Sequence, residues 1–176
     1  CTSTSIPRAL HLYDIHTFLY TGLVIAWGNL VHQRIVNRRA RRNLVLAAAF
    51  MLLLFLSRLV RWSCFPDNAF VQEFAWYAYY VSFTAIPLCS FYTALCVGKE
   101  EGEEIRWPAR LLGLLQLVFT AIVFTNPWHQ QFFRFKDETH ESYSYGPAYY
   151  CVVCWVLILA TATILIVVRR CQVSSR

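Results

Sequence analysis

Hydrophobic residues run along this chain in five long blocks, and polar residues gather in the stretches between them. The blocks cover residues 15–32, 44–60, 74–97, 111–125 and 147–168. A bilayer core about 30 Å thick takes roughly 20 helical residues to cross. Lipid offers backbone groups no partners, so each block must satisfy its own hydrogen bonds as a helix. The pattern predicts an all-α, polytopic transmembrane helical bundle of five spans, a single membrane domain over residues 1–176. The fourth block is short and borrows Ala109 and Arg110, with the arginine snorkelling outward. Arg58, one turn from the end of the second block, can do the same.

Proline placement agrees with these boundaries. Pro7, Pro66, Pro108, Pro127 and Pro147 fall in or beside connections, where a missing N–H matters least. Pro87 alone lies inside a block, in SFTAIPLCSFY, and predicts a kink in the third helix. Polar residues within or beside blocks are site candidates by default. Asn29 and Gln116 are expected to bond between helices. Glu73 stands at the edge of the third block, where an ionisable group can serve a site.

The period changes after the fourth block. In FFRFKDETHESYSYG, apolar and polar residues alternate on both sides of a charged centre at residues 137–140. Alternation with period two predicts a short β-hairpin within the connection 126–146. A lone hairpin is marginal in water, so its aromatic face should lie over the mouth of the bundle.

Composition strengthens the membrane reading: 57% of the 176 residues are hydrophobic and 15% charged. The net charge of +6 raises the question of nucleic acid, but the basic residues sit in short clusters between apolar runs. That is the distribution of a membrane protein, and no nucleic-acid partner is expected. Arg34, Arg38, Arg39, Arg41 and Arg42 occupy the first connection, Lys99, Arg106 and Arg110 the third, and Arg169, Arg170 and Arg176 the tail. Only Arg8, Arg58, Arg61, Arg134 and Lys136 fall on the other side. The positive-inside rule then places the N-terminus outside, the C-terminus inside, and the 126–146 loop outside. The chain begins at Cys1 with no signal-peptide pattern and ends in RRCQVSSR just after an apolar block, so a longer parent protein is expected.

The outer ending TNPWH frames the candidate site. Asn126 can bond the last free carbonyls of the fourth helix, Pro127 stops it, and Trp128 suits the interfacial belt. His129 either bonds the helix end or serves as a charge-switching group at the outer mouth. His129, His140, Asp137, Glu138 and Glu141 match no zinc spacing, and a solvated charged turn accounts for the acids, so no metal is expected. Cys151-Val-Val-Cys154 suggests thiol–disulfide chemistry, although an i, i+3 pair in a helix is awkward for a bridge. Seven cysteines show no regular framework. The glycines form neither GxGxxG nor GxxxxGK[ST], so no phosphate-cradling loop, cofactor or catalytic residue is expected in this segment.

The combination of Thr125, Asn126 and His129 closing one helix, Gly146-Pro147 followed by Tyr149 and Tyr150 opening the next, and Pro87 inside the preceding long helix resembles the N-terminal seven-helix membrane domain of bacterial sensor histidine kinases. The resemblance spans roughly residues 17 to 170. Two helices of such a domain are not present here, and the aromatic after Gly-Pro, often Trp in that family, is Tyr. The resemblance implies a sensory input domain in the bacterial cytoplasmic membrane. It would detect a small ligand or envelope signal at its outer face and drive a covalently linked cytoplasmic output domain, and a homodimer is compatible with that role. The ligand or sensing candidates are Asn126, Trp128, His129, Tyr143, Tyr145, Tyr149, Tyr150 and Glu73. Two other readings stand beside this one: a self-contained five-helix small-molecule carrier of the tryptophan-rich translocator type, and a membrane thiol oxidoreductase using Cys151 and Cys154.

Overall fold

The computed structural model describes residues 6–64, 68–96, 107–135 and 143–174. Helices stand at all five apolar blocks: α1 (Ile6–Arg34), α2 (Arg38–Leu59), α3 (Ala69–Cys96), α4 (Trp107–Phe124) and, after a single helical turn α5 (Asn126–His129), α6 (Pro147–Ser174). Strands β1 (Phe133–Phe135) and β2 (Tyr143–Tyr145) complete the chain. α2, α3 and the Pro147–Gln172 portion of α6 are each long and apolar enough to cross a membrane. The apolar part of α4, Ala109–Phe124, is shorter. The molecule is a helical membrane protein, and the bundle ends carry its polar architecture.

α3 is the central post. It packs on α2, α4 and α6, whereas α1 rests against α2. Small residues make the α1–α2 approach close: a Cβ built on Gly28 would stand 3.3 Å from the Ala48 Cβ, and Ala47 and Ala48 are buried. Side chains such as Leu157, Ile158, Ile164 and Leu165 on α6 stay exposed, as a lipid-facing surface requires.

Local signals set the helix starts. The Asn37 side chain accepts from the Arg39 and Ala40 N–H groups at 3.1 Å each and caps α2. Asn68 accepts from the Val71 N–H at 3.1 Å and caps α3 in the same way. The cap on α2 corrects one expectation. Arg38, Arg39, Arg41 and Arg42 were expected in a loop, yet they lie on the first turns of α2, leaving residues 35–37 as the connection. α2 leaves through a π-helical turn, Val60–Cys64, whose Arg61 carbonyl accepts from Gln72 Nε2 at 2.7 Å.

α3 runs continuously through Pro87. Hydroxyls of Ser82, Thr84, Ser90 and Thr93 bond the carbonyls of Ala78, Tyr80, Ile86 and Cys89 along its length. Gln116 does bond between helices, as its position in a span implied. Asn29 does not: it is exposed on α1 and its side chain makes no hydrogen bond among the described residues.

The two strands pair antiparallel with Phe133 opposite Tyr145, Arg134 opposite Ser144 and Phe135 opposite Tyr143. Alternation located the hairpin because residues two apart share a face. Residues 137–140, where the turn is expected, lie outside the described residues.

Candidate functional site

The loop between α4 and α6 is anchored at its base by groups from both of its ends. Asn126 is only 3% exposed. Its Nδ2 donates to the Phe133 carbonyl at 2.9 Å, and its Oδ1 accepts from the N–H of Phe132 at 3.0 Å and of Phe133 at 3.4 Å. Asn126 therefore mimics a strand partner for the start of β1. This corrects its expected role, because it does not bond the carbonyls that end α4. Those are met by Thr125, whose Oγ1 donates to Ala121 at 2.8 Å, and by His129.

His129 uses both ring nitrogens. Nδ1 accepts from the Gln131 N–H at 3.0 Å, which leaves the proton on Nε2, 3.2 Å from both the Ile122 carbonyl and Thr125 Oγ1. Gln130, in the left-handed region at φ 49°, turns the chain between α5 and β1, and its N–H donates to Asn126 O at 2.8 Å. Pro127 stands within the first turn of α5 and so opens a new helical turn; α4 has already ended at Phe124.

The Gly-Pro pair closes the other end. A Cβ on Gly146 would fall 1.9 Å from the Gln131 carbonyl oxygen, so only glycine permits this backbone approach. The Gly146 N–H donates to Phe132 O at 2.9 Å, and the Ala148 N–H to Gln131 O at 3.1 Å. The two short motifs thus lock one junction from opposite sides.

Above this junction lies an aromatic cluster. Phe132 and Phe133 are buried against Tyr77 and Tyr80 of α3 and Val152 of α6. Tyr143 meets the Trp76 ring edge-on at 4.9 Å between centroids, and Tyr145 stacks on Tyr149 at 3.9 Å. The Tyr143 and Tyr145 hydroxyls lie 3.3 Å apart. That hydrogen bond, then burial, holds the Tyr145 phenol above its ordinary pKa.

Beside the cluster a cavity of about 400 Å³ opens between α2, α3 and β2. Trp76, Tyr79 and Tyr143 give it aromatic walls, and Ser57, Arg58 and Arg61 give it polar ones. Arg61 is 6% exposed, with its guanidinium 3.9 Å from the Trp76 ring centroid. Such stacking stabilises a cation through the ring quadrupole. The Trp76 indole N–H is buried and has no hydrogen-bond partner among the described residues.

The other expected site residues divide sharply. Tyr143, Tyr145 and Tyr149 join the cluster, and the Glu73 carboxylate accepts from the Tyr77 hydroxyl. Trp128, 88% exposed, stands outside it, and Tyr150 is exposed at its rim, meeting the Tyr149 ring edge-on at 5.5 Å. Cys151 and Cys154 are free and exposed, on a face of α6 opposite the buried Val152, Trp155 and Leu159. The acidic residues 137, 138 and 141 and His140 lie outside the described residues. Arg61, Trp76 and Tyr79 were not singled out as site residues from the chain; an arginine just past one apolar block and a tryptophan early in the next were the available signal.

Deeper in the bundle one polar bridge joins three helices. Gln116 Nε2 donates to Thr84 Oγ1 at 2.6 Å, and its Oε1 accepts from Trp155 Nε1 at 3.3 Å. α3, α4 and α6 are tied at that level.

A family model described as the N-terminal 7TM region of histidine kinase matches residues 17–176. No curated protein and no solved structure matches the chain.

Proposed function

Because the chain belongs to the family of N-terminal seven-transmembrane regions of histidine kinases, we propose that it is the sensory input domain of a bacterial two-component kinase, taking a small ligand into the cavity beneath the aromatic hairpin. Its five helices cross the cytoplasmic membrane with the N-terminus and the hairpin outside and the C-terminus inside, the orientation that the arginine distribution favours. A covalently linked output domain receives the signal in the cytoplasm.

The observation that carries this reading is the composition of the cavity wall. Arg58 comes from the last turn of α2, Arg61 from the π-helical turn after it, Trp76 and Tyr79 from α3, and Tyr143 from the hairpin between α4 and α6. A ligand seated there touches three parts of the chain at once. It can shift the helices only through different affinities for two arrangements, and a site shared among moving parts supplies that difference. α3 leads from the cavity to the Gln116 bridge, which reaches α4 and α6. The pocket favours a ligand with an aromatic or planar part for Trp76 and an acceptor for the arginines and the indole N–H.

The test is autophosphorylation of the full-length protein in membrane vesicles, measured across envelope-side solutes. Arg61→Gln and Tyr143→Ala should alter the response while expression and insertion persist, and Cys151→Ser with Cys154→Ser should leave it unchanged. Wild-type responses from both cavity variants would remove this site.

A further inference from the structure

A second cavity lies at the opposite end of the bundle from the hairpin. It measures about 590 Å³ and sits where the first turns of α2, the last turns of α3 and the start of α4 converge. Arg39 and Arg42 enter it from α2 and Arg110 from α4, while Leu88 and Cys89 of α3 line its apolar part. Three guanidinium groups from two helices thus share one concavity with an apolar lining.

Two further observations point to an anion. Asn43 lines the same cavity, is 8% exposed, and its side chain makes no hydrogen bond among the described residues. The Asn43 amide thus offers the cavity a donor and an acceptor that no described group uses. The arginines also stand at the wrong end of their helix. The N-terminus of α2 carries the positive end of the helix dipole, yet its first five residues are RRARR. Like charges accumulate there without an acidic residue in the first turn. An anion seated in the cavity meets both the positive helix end and the arginines and can accept from the Asn43 amide, as at other helix N-termini.

We infer that this cavity binds a phosphate-class anion, with the headgroup of an anionic phospholipid as its source: phosphate among Arg39, Arg42, Arg110 and Asn43, and the adjoining glycerol and acyl carbons against Leu88 and Cys89. Basic pockets between membrane helices take such headgroups by the same physics. Arginine suits the role because its planar fork bonds two phosphate oxygens at once. The lining is amphiphilic, matching a headgroup joined to a tail better than a free ion. The inference stands independently of the outer cavity.

The test uses the purified protein in nanodiscs of phosphatidylcholine, with and without phosphatidylglycerol, and inorganic phosphate titrated separately. Native mass spectrometry counts retained lipid, and thermal unfolding reads stabilisation. Phosphatidylglycerol should be retained and should raise the unfolding midpoint. Each of Arg39→Gln, Arg42→Gln and Arg110→Gln should weaken its binding about fivefold. Arg42→Lys should restore part of that loss, and Arg38→Gln, on the same helix turn but outside the cavity, should retain wild-type binding. Asn43→Leu should weaken binding without changing the charge. Saturable binding of inorganic phosphate alone, with the same sensitivity to these variants, would keep the anion site and reject the lipid source. Circular dichroism identifies any variant that fails to fold, and the lipid count on wild-type protein decides independently of all variants. Equal retention of both lipids by wild-type protein, with no effect of phosphate, would overturn the inference.

Discussion

Replacing Asn126 with alanine removes the side chain that joins the first residue of α5 to the start of β1. Two of its bonds have good geometry, the donation to Phe133 O at 2.9 Å and the acceptance from Phe132 N–H at 3.0 Å. Both partners are backbone groups of residues that are almost wholly buried. Leaving a buried donor or acceptor unpaired costs about 1–3 kcal/mol each, so the substitution should destabilise the docked hairpin by roughly 2–6 kcal/mol. Because the loss is local, amide hydrogen exchange reads it better than global unfolding. Every ~1.4 kcal/mol is tenfold, so amides of residues 132–135 and 143–146 should exchange at least about 25-fold faster. Amides in the middle of α3 and α6 should be unaffected. Asn126→Asp should fall between wild type and alanine, since it keeps an acceptor for Phe132 N–H but loses the donor to Phe133 O. A change under about threefold at residues 132–135, equivalent to under ~0.7 kcal/mol, would refute the account of Asn126 as a stand-in strand.

Other expectations follow from the same contacts. Gly146→Ala places a methyl inside the Gln131 carbonyl and should force the loop ends apart, abolishing protection of the Gly146 and Ala148 amides; normal exchange there would contradict the close approach. A double-mutant cycle of Gln116→Leu with Trp155→Phe should give a coupling of about 0.6 kcal/mol, and no more than ~1.7, measured by unfolding in detergent; zero coupling would dissolve the three-helix bridge. The Tyr145 phenol has a raised pKa, so its burial beside Tyr143 contributes stability that is complete below the ordinary tyrosine value of about 10 and is lost as pH rises through the folded-state value. Ultraviolet titration should show Tyr143→Phe lowering the Tyr145 transition. Gly28→Leu should push α1 off α2 at Ala48, seen as faster exchange in α1 with α3 unchanged.

How much of this was readable from the chain depends on the range of the interaction. Helix positions were legible because apolar blocks of membrane length have one solution in lipid. The hairpin was legible because period two is a local property. The arginines at 38–42 were placed in a loop because charge density suggested solvent, although Asn37 at their head carried a helix-cap signal. Asn126 was located as a special residue but assigned the wrong partner: its true bonds reach six and seven residues ahead, around the left-handed Gln130. Of the cavity at Arg61, Trp76 and Tyr143, Tyr143 alone was singled out from the chain. The cavity depends on the π-helical exit from α2 and on the rotation of α3, and neither leaves a periodic trace.

The proposed orientation underlies both the proposed sensing cavity and the proposed anion site, and cysteine accessibility in intact cells tests it most directly. In a cysteine-free background, Trp128→Cys at the hairpin end and Val36→Cys in the α1–α2 connection each replace a residue that is 88% exposed. A membrane-impermeant maleimide should label position 128 in intact cells and position 36 only after the membrane is opened. Labelling of position 36 but not 128 from outside, or of both, would contradict the arrangement.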